Sequence, residues 1–162
     1  MSKKVVKIFC KADDESVVEE NRTLNYSFYD RVMPYSIIKT FLFNKKYFPD
    51  SIFIDLSVNP EKKYNLLQSI IAKNQDKIII VFLCLNIVMA DRGLKFFYFL
   101  KKKITFHLVV LTNLNFSHEF LLENSIVDYY VCEEWSKVSL NIIKSFKKKS
   151  QKLPDGLFYR IN

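Results

Sequence analysis

Cys84 lies near the end of the most apolar run in the chain, KIIIVFLCLN from Lys77 to Asn86. A cysteine can act as a nucleophile or a metal ligand, and both chemistries need the thiolate. The neighbours here are Phe82, Leu83 and Leu85, and burial among such residues raises a thiol's pKa and makes it inert. The plainer reading of Cys84 is a small residue filling a core position. Cys10 and Cys132 are distant in sequence, so the three cysteines show neither zinc spacing nor a disulfide framework. That suits a reducing compartment, where a Cys84–Cys132 pair is not expected. His107 and His118 also lack metal-ligand spacing and read as ordinary polar histidines. The remaining candidates are carboxylates: Asp13 and Asp14, Asp30, Asp55 and Asp91. Asp30 with Asp91 is one conceivable acid pair, although surface or loop-capping roles suit each of them better.

These residues can meet only if the chain brings strand ends together. Ile78 to Leu85 are eight consecutive apolar residues. The run is too short to span a bilayer and lacks the alternation of a half-exposed strand. It reads as the central strand of a parallel sheet covered on both faces by helices. Open α/β sheets bind ligands at the carboxyl ends of their strands, and here that end holds Cys84, Leu85 and Asn86. Further strands are expected at 4–10, 25–30, 51–57, 106–112 and 127–132, each rich in β-branched or aromatic residues. Between them come helices. One starts near Pro34 with a stripe of Ile37, Ile38, Phe41 and Leu42 and ends before Pro49. A second follows Asn59-Pro60-Glu61, a cap, a first-turn proline and an acid, and buries Tyr64, Leu67, Ile70 and Ile71. A third spans 94–103, and SHEFLLENS is a short fourth. A last helix, capped by Ser136, buries Val138, Ile142, Ile143 and Phe146. A turn at Pro154-Asp155-Gly156 marks the tail.

Only Gly93 and Gly156 are glycines, whereas average usage of roughly 7% would give about eleven. Glycine-rich phosphate cradles are therefore absent, which excludes the dinucleotide-binding fingerprint and the P-loop. The net charge is +8 and is concentrated toward the C-terminus. The start is basic, but its apolar stretch is short and interrupted by Lys7, so it is no secretory signal, and no transmembrane run follows. The expectation is a cytoplasmic protein. The lysines at 101–103 and 147–149 read first as solvated faces. They lack the aromatic interleaving of single-strand binders.

The order of these segments resembles the receiver domain of bacterial response regulators over roughly residues 24–150. VVLTN…DYYVCEEWSKVSLNIIKSFKKK is similar to a receiver's last two strands and last helix. CLNIVMADRGLKFF resembles the loop after the phosphoacceptor, NPEKKYNLL the start of the second helix, and FYDRVMPYSIIKTFL the acid pair and first helix. The resemblance implies a flavodoxin-like, doubly wound five-stranded parallel sheet of order 2-1-3-4-5, here with an extra N-terminal strand. It divides the chain into an extension at 1–22, a receiver-like domain at 23–150 and a tail at 151–162. It also implies a phosphorylation pocket. The acid pair falls on Tyr29 and Asp30, the phosphoacceptor on Cys84, the carbonyl donor on Asn86, the hydroxyl on Thr112, the lysine on Cys132 and the aromatic switch on Tyr129. Nucleophile and phosphate-pairing cation are both missing, and one carboxylate holds Mg²⁺ poorly. A second register takes KIFCKADDES as the first strand and puts Asp55 at the phosphoacceptor, with Asp13 and Asp14 beside it.

The expected activity is thus that of a degenerate receiver: no enzyme, no cofactor, no metal, a monomer or homodimer that binds a protein partner without phosphorylation. The alternatives are a nucleic-acid-associated regulator using the basic C-terminal helix and a true phosphoacceptor at Asp55. By resemblance the partner face is residues 117–146. Trp135, the only tryptophan, is either an interface anchor or a core residue. Of the aromatics Phe96 to Phe99, half should be core and half should face a partner or the N-terminal strand.

Overall fold

The all-apolar run forms β3 (Ile78–Cys84), and every interior residue of it is buried. The structure, a computed structural model, describes residues 4–11, 35–85, 90–112, 126–132, 134–148 and 157–159. Around β3 lie β1 (Val5–Lys11), β2 (Ile52–Asp55), β4 (His107–Leu111), β5 (Tyr129–Val131) and β6 (Leu157–Tyr159). The helices are α1 (Tyr35–Tyr47), α2 (Pro60–Ala72), α3 (Ala90–Lys101) and α4 (Trp135–Lys148). The sheet runs β2-β1-β3-β4-β5-β6. Its first five strands are parallel, and β6 pairs antiparallel with β5. This is the expected flavodoxin-like α/β sheet of order 2-1-3-4-5.

The strand filling the first position differs from the expectation. Residues 5–11 are no edge strand or appendage: β1 lies between β2 and β3, pairing Val5 with Ile78 through to Lys11 with Cys84. The 1–22 extension therefore contributes an integral strand, and the 25–30 candidate lies outside the described residues. Lys4, Lys7 and Lys11 interrupt the apolar pattern of 4–11, yet Lys7 is 1% exposed. Its four-carbon stem runs along the core and its ammonium emerges at Asp50, 2.6 Å from both carboxylate oxygens. The 151–162 tail likewise supplies β6, too short to leave a periodic signal.

Period-two alternation splits the core into two layers. Ile8, Cys10, Val81 and Leu83 face α2 and α3, joining Leu67, Ile71, Leu94 and Phe97. Phe9, Ile80 and Phe82 face α1 and α4, joining Ile37, Val138, Ile142 and Ile143. Phe9 stacks on Phe82 at 4.7 Å. Burial of each such side chain stabilises by about 1.5–3 kcal/mol.

Helix faces follow the expected stripes with instructive exceptions. In α1 the buried face includes Thr40 and Asn44, whereas Leu42 is exposed. The Asn44 amide donates to the Thr40 carbonyl at 2.9 Å and to Ser139 Oγ at 2.8 Å, so a polar seam joins α1 to α4. Asn59 precedes α2 in a left-handed conformation and makes no side-chain cap bond. Glu134, at positive φ, precedes α4, while Ser136 sits inside that helix, not at its cap. In α3, Phe97 is buried and Phe96 packs on Tyr64, leaving Tyr98 and Phe99 exposed. The short helix expected from SHEFLLENS lies outside the described residues.

Candidate functional site at the carboxyl edge of the sheet

In a sheet of this order the chain winds outward both ways from the β1–β3 pair, and the crevice at their carboxyl ends is where such folds place ligands. The register fixes what stands there. Lys11 ends β1 opposite both Asp55 of β2 and Cys84 of β3. Cys84 lies opposite Leu111, and Thr112 follows β4 as Cys132 follows β5. The fold thus brings Cys84, Thr112 and Cys132 to successive strand ends.

Each of these positions has a local cause. Lys11 is 8% exposed, and its ammonium donates to Ser57 Oγ at 3.1 Å. Ser57 in turn donates its hydroxyl and its backbone N–H to Asp55 Oδ1, at 2.5 and 3.0 Å. The carboxylate thereby closes its own turn. Asp55 also belongs to β2, the edge strand, so the register that made it a central phosphoacceptor does not hold. Cys84 is half-buried and packs with the α1/α4 layer. None of the three cysteines is in a disulfide, and burial pushes the Cys10 thiol far up. Thr112 is 2% exposed; its N–H donates to the Val131 carbonyl at 3.0 Å, and its carbonyl accepts from the Trp135 indole at 3.2 Å.

Of the two roles open to Trp135, the structure gives the core one: it is 7% exposed within the α1/α4 layer. Tyr129 is half-buried, with Phe146 at 6.2 Å and His107 at 6.4 Å. Burial and then the Asp128 charge push its hydroxyl pKa up. Tyr29, Asp30, Asn86 and His118 lie outside the described residues. Because β1 is the strand beside β3, the acids that follow it in the chain are Asp13 and Asp14, not Tyr29 and Asp30. Lys11 and Ser57 were missed; their only signal was a lysine ending a strand just before an acid pair.

His107, which opens β4 at the opposite, amino edge of the sheet, has a depressed pKa. Burial lowers it, Lys101 lowers it further, and Asp128 opposes both. The ring packs 4.4 Å from Phe146. A base whose folded pKa lies below its unfolded value of about 6.5 contributes full stability above that pH. That contribution is lost as pH falls through the depressed folded pKa. Chemical denaturation between about pH 7 and pH 5 is expected to show wild type losing more stability than His107→Phe. Equal slopes would rule out a buried, neutral His107.

Among the described residues no helix is long and apolar enough to cross a membrane. No protein-family model, no characterised protein and no solved structure matches this chain.

Proposed function

We propose that the chain is a receiver-like module without phosphoryl chemistry, acting as an adaptor that binds another protein. The supporting observation is the residue pair at the β1–β3 crevice: a thiol, Cys84, opposite a nearly buried ammonium, Lys11. Phosphoryl transfer to a receiver needs a carboxylate nucleophile beside Mg²⁺. A thiol flanked by apolar residues is no substitute, and a cation at the neighbouring strand end repels the metal. Asp55, the carboxylate nearest in register, is held by Ser57 on the edge strand. In receivers the last strand and last helix carry partner contacts. Here β6 covers β5, so the proposed contact surface is the outer edge of β6, unpaired among the described residues, with the outer side of α4. An edge strand is a template for an added strand.

The test combines mass and contact. Incubation with acetyl phosphate and Mg²⁺ is expected to leave the intact mass unchanged. Crosslinking in lysate, with and without that treatment, is expected to join the same protein partner to α4 and β6. A phosphoryl adduct on any carboxylate overturns the proposal. So does a partner captured only after treatment, or crosslinks confined to other elements.

A further inference from the structure

Along the sequence the lysine runs carry no interleaved aromatics. The fold supplies that interleaving in space, at the end of the domain opposite the crevice. Helices α1 and α4 run parallel: Thr40 lies by Ser136, Asn44 by Ser139, Tyr47 by Lys144 and Phe48 by Lys147. Their carboxyl ends therefore converge. Every charged residue in either helix is a lysine. Lys45, Lys46, Lys144 and Lys148 are exposed there and Lys147 is half-buried. The Lys144 ammonium stands 5.6 Å from the Tyr47 ring centroid, Lys147 4.3 Å from Phe48 and Lys45 5.2 Å from Phe41. Tyr47 itself is 54% exposed. The neighbouring acid, Asp50, is engaged by Lys7.

Lysines in a helix's last turn are ordinarily explained by the macrodipole. That explains Lys45, Lys46, Lys147 and Lys148. It does not explain Lys144, which precedes the last turn, or two adjacent helices with no acid in either. We infer that this surface binds single-stranded nucleic acid, with the lysines on phosphates and Tyr47 as a platform for one base. Charge complementarity to a polyanion and an exposed π-face among the cations are the two requirements of such sites. A lipid surface fits less well. Lys45, Lys46, Lys144 and Lys148 outnumber the one exposed ring, Tyr47, whereas insertion needs a mainly apolar face. The α4 lysines of this surface adjoin the proposed adaptor face, but oligouridine binding and protein crosslinking test the two separately.

Fluorescence anisotropy with a labelled oligouridine tests it. Four exposed lysines on phosphates predict a slope of log K against log salt of about −3, taken between about 50 and 200 mM salt. Lys144→Gln with Lys148→Gln is expected to halve that slope and weaken binding at low salt by about tenfold or more. Tyr47→Ala is expected to weaken binding about five- to tenfold with the slope unchanged. Lys62→Gln with Lys63→Gln, on α2 across the sheet, is expected to change neither. Lys62, Lys144 and Lys148 are exposed and Lys63 is half-buried, so circular dichroism should match wild type for every lysine variant. No binding, or binding indifferent to Lys144 and Lys148, overturns the inference. Equal affinity for a duplex overturns the single-stranded occupant. Lysine-dependent binding to phosphatidylserine vesicles without binding to oligouridine transfers the surface to membranes and also overturns it.

Discussion

Trp135→Ala is expected to lower the unfolding free energy by about 3–5 kcal/mol, the range for large aromatic truncations in a packed core. Trp135 is 7% exposed between the α1/α4 layer and the end of β4. Truncation removes that packing and also the 3.2 Å indole hydrogen bond to the Thr112 carbonyl. Small domains hold about 5–15 kcal/mol in total, so this variant will stand near its unfolding threshold. Trp135→Phe separates the two losses. It keeps most of the apolar contact and gives up the hydrogen bond, with an expected cost of about 1–2 kcal/mol. Urea melts followed by far-ultraviolet circular dichroism measure both. A cost below about 1 kcal/mol for the alanine variant would return Trp135 to the surface as an interface residue.

The features legible in the sequence were those with one dominant physical signal. Eight apolar residues announced β3 as central, and apolar stripes at helical spacing located α2 and α4. Cys84, Thr112 and Cys132 could be assigned to strand ends because each closes such a run. The misplaced features mix signals. Lys7 and Lys11 disguised β1, since a lysine stem packs like a hydrocarbon while its head group counts as polar in any pattern. Thr40 and Asn44 were missed as the buried face of α1 because their partners, Ser136 and Ser139, lie about 95 residues away and no local pattern reports a polar seam between helices. The three residues of β6 are too few for a period. Moving β1 changes the chemistry as well as the count: it puts Lys11 at the strand end beside Cys84.

Removing the carboxylate of Asp50 is expected to harm the fold more than removing the ammonium of Lys7. Lys7 is 1% exposed and Asp50 72% exposed, so the pair is a buried cation held by a solvated anion. Asp50→Ala leaves that cation with the Phe48 ring, 5.3 Å away, and no carboxylate. A hydrogen bond to a charged group contributes about 1.5–3 kcal/mol. Solvent screening on the Asp50 side argues for the lower part of that range, about 2 kcal/mol. Lys7→Met keeps the packed stem, removes the charge and lets Asp50 return to water. Replacing buried charge with a well-packed apolar group is neutral or stabilising, so this variant is expected to match or exceed wild type. The pH dependence follows from the same contact. Partial burial raises the Asp50 pKa, but the Lys7 hydrogen bond and charge outweigh it and hold the carboxyl below its usual range. With the folded pKa depressed, the stabilisation is present above the unfolded value of about 3.9. It is lost as pH falls through the folded pKa. Urea melts from about pH 6 down to pH 3 should show wild type converging on Asp50→Ala at the acid end, with Lys7→Met lacking this part of the decline. If Lys7→Met proves the more damaging substitution, the ammonium stabilises β1 through more than its pair with Asp50.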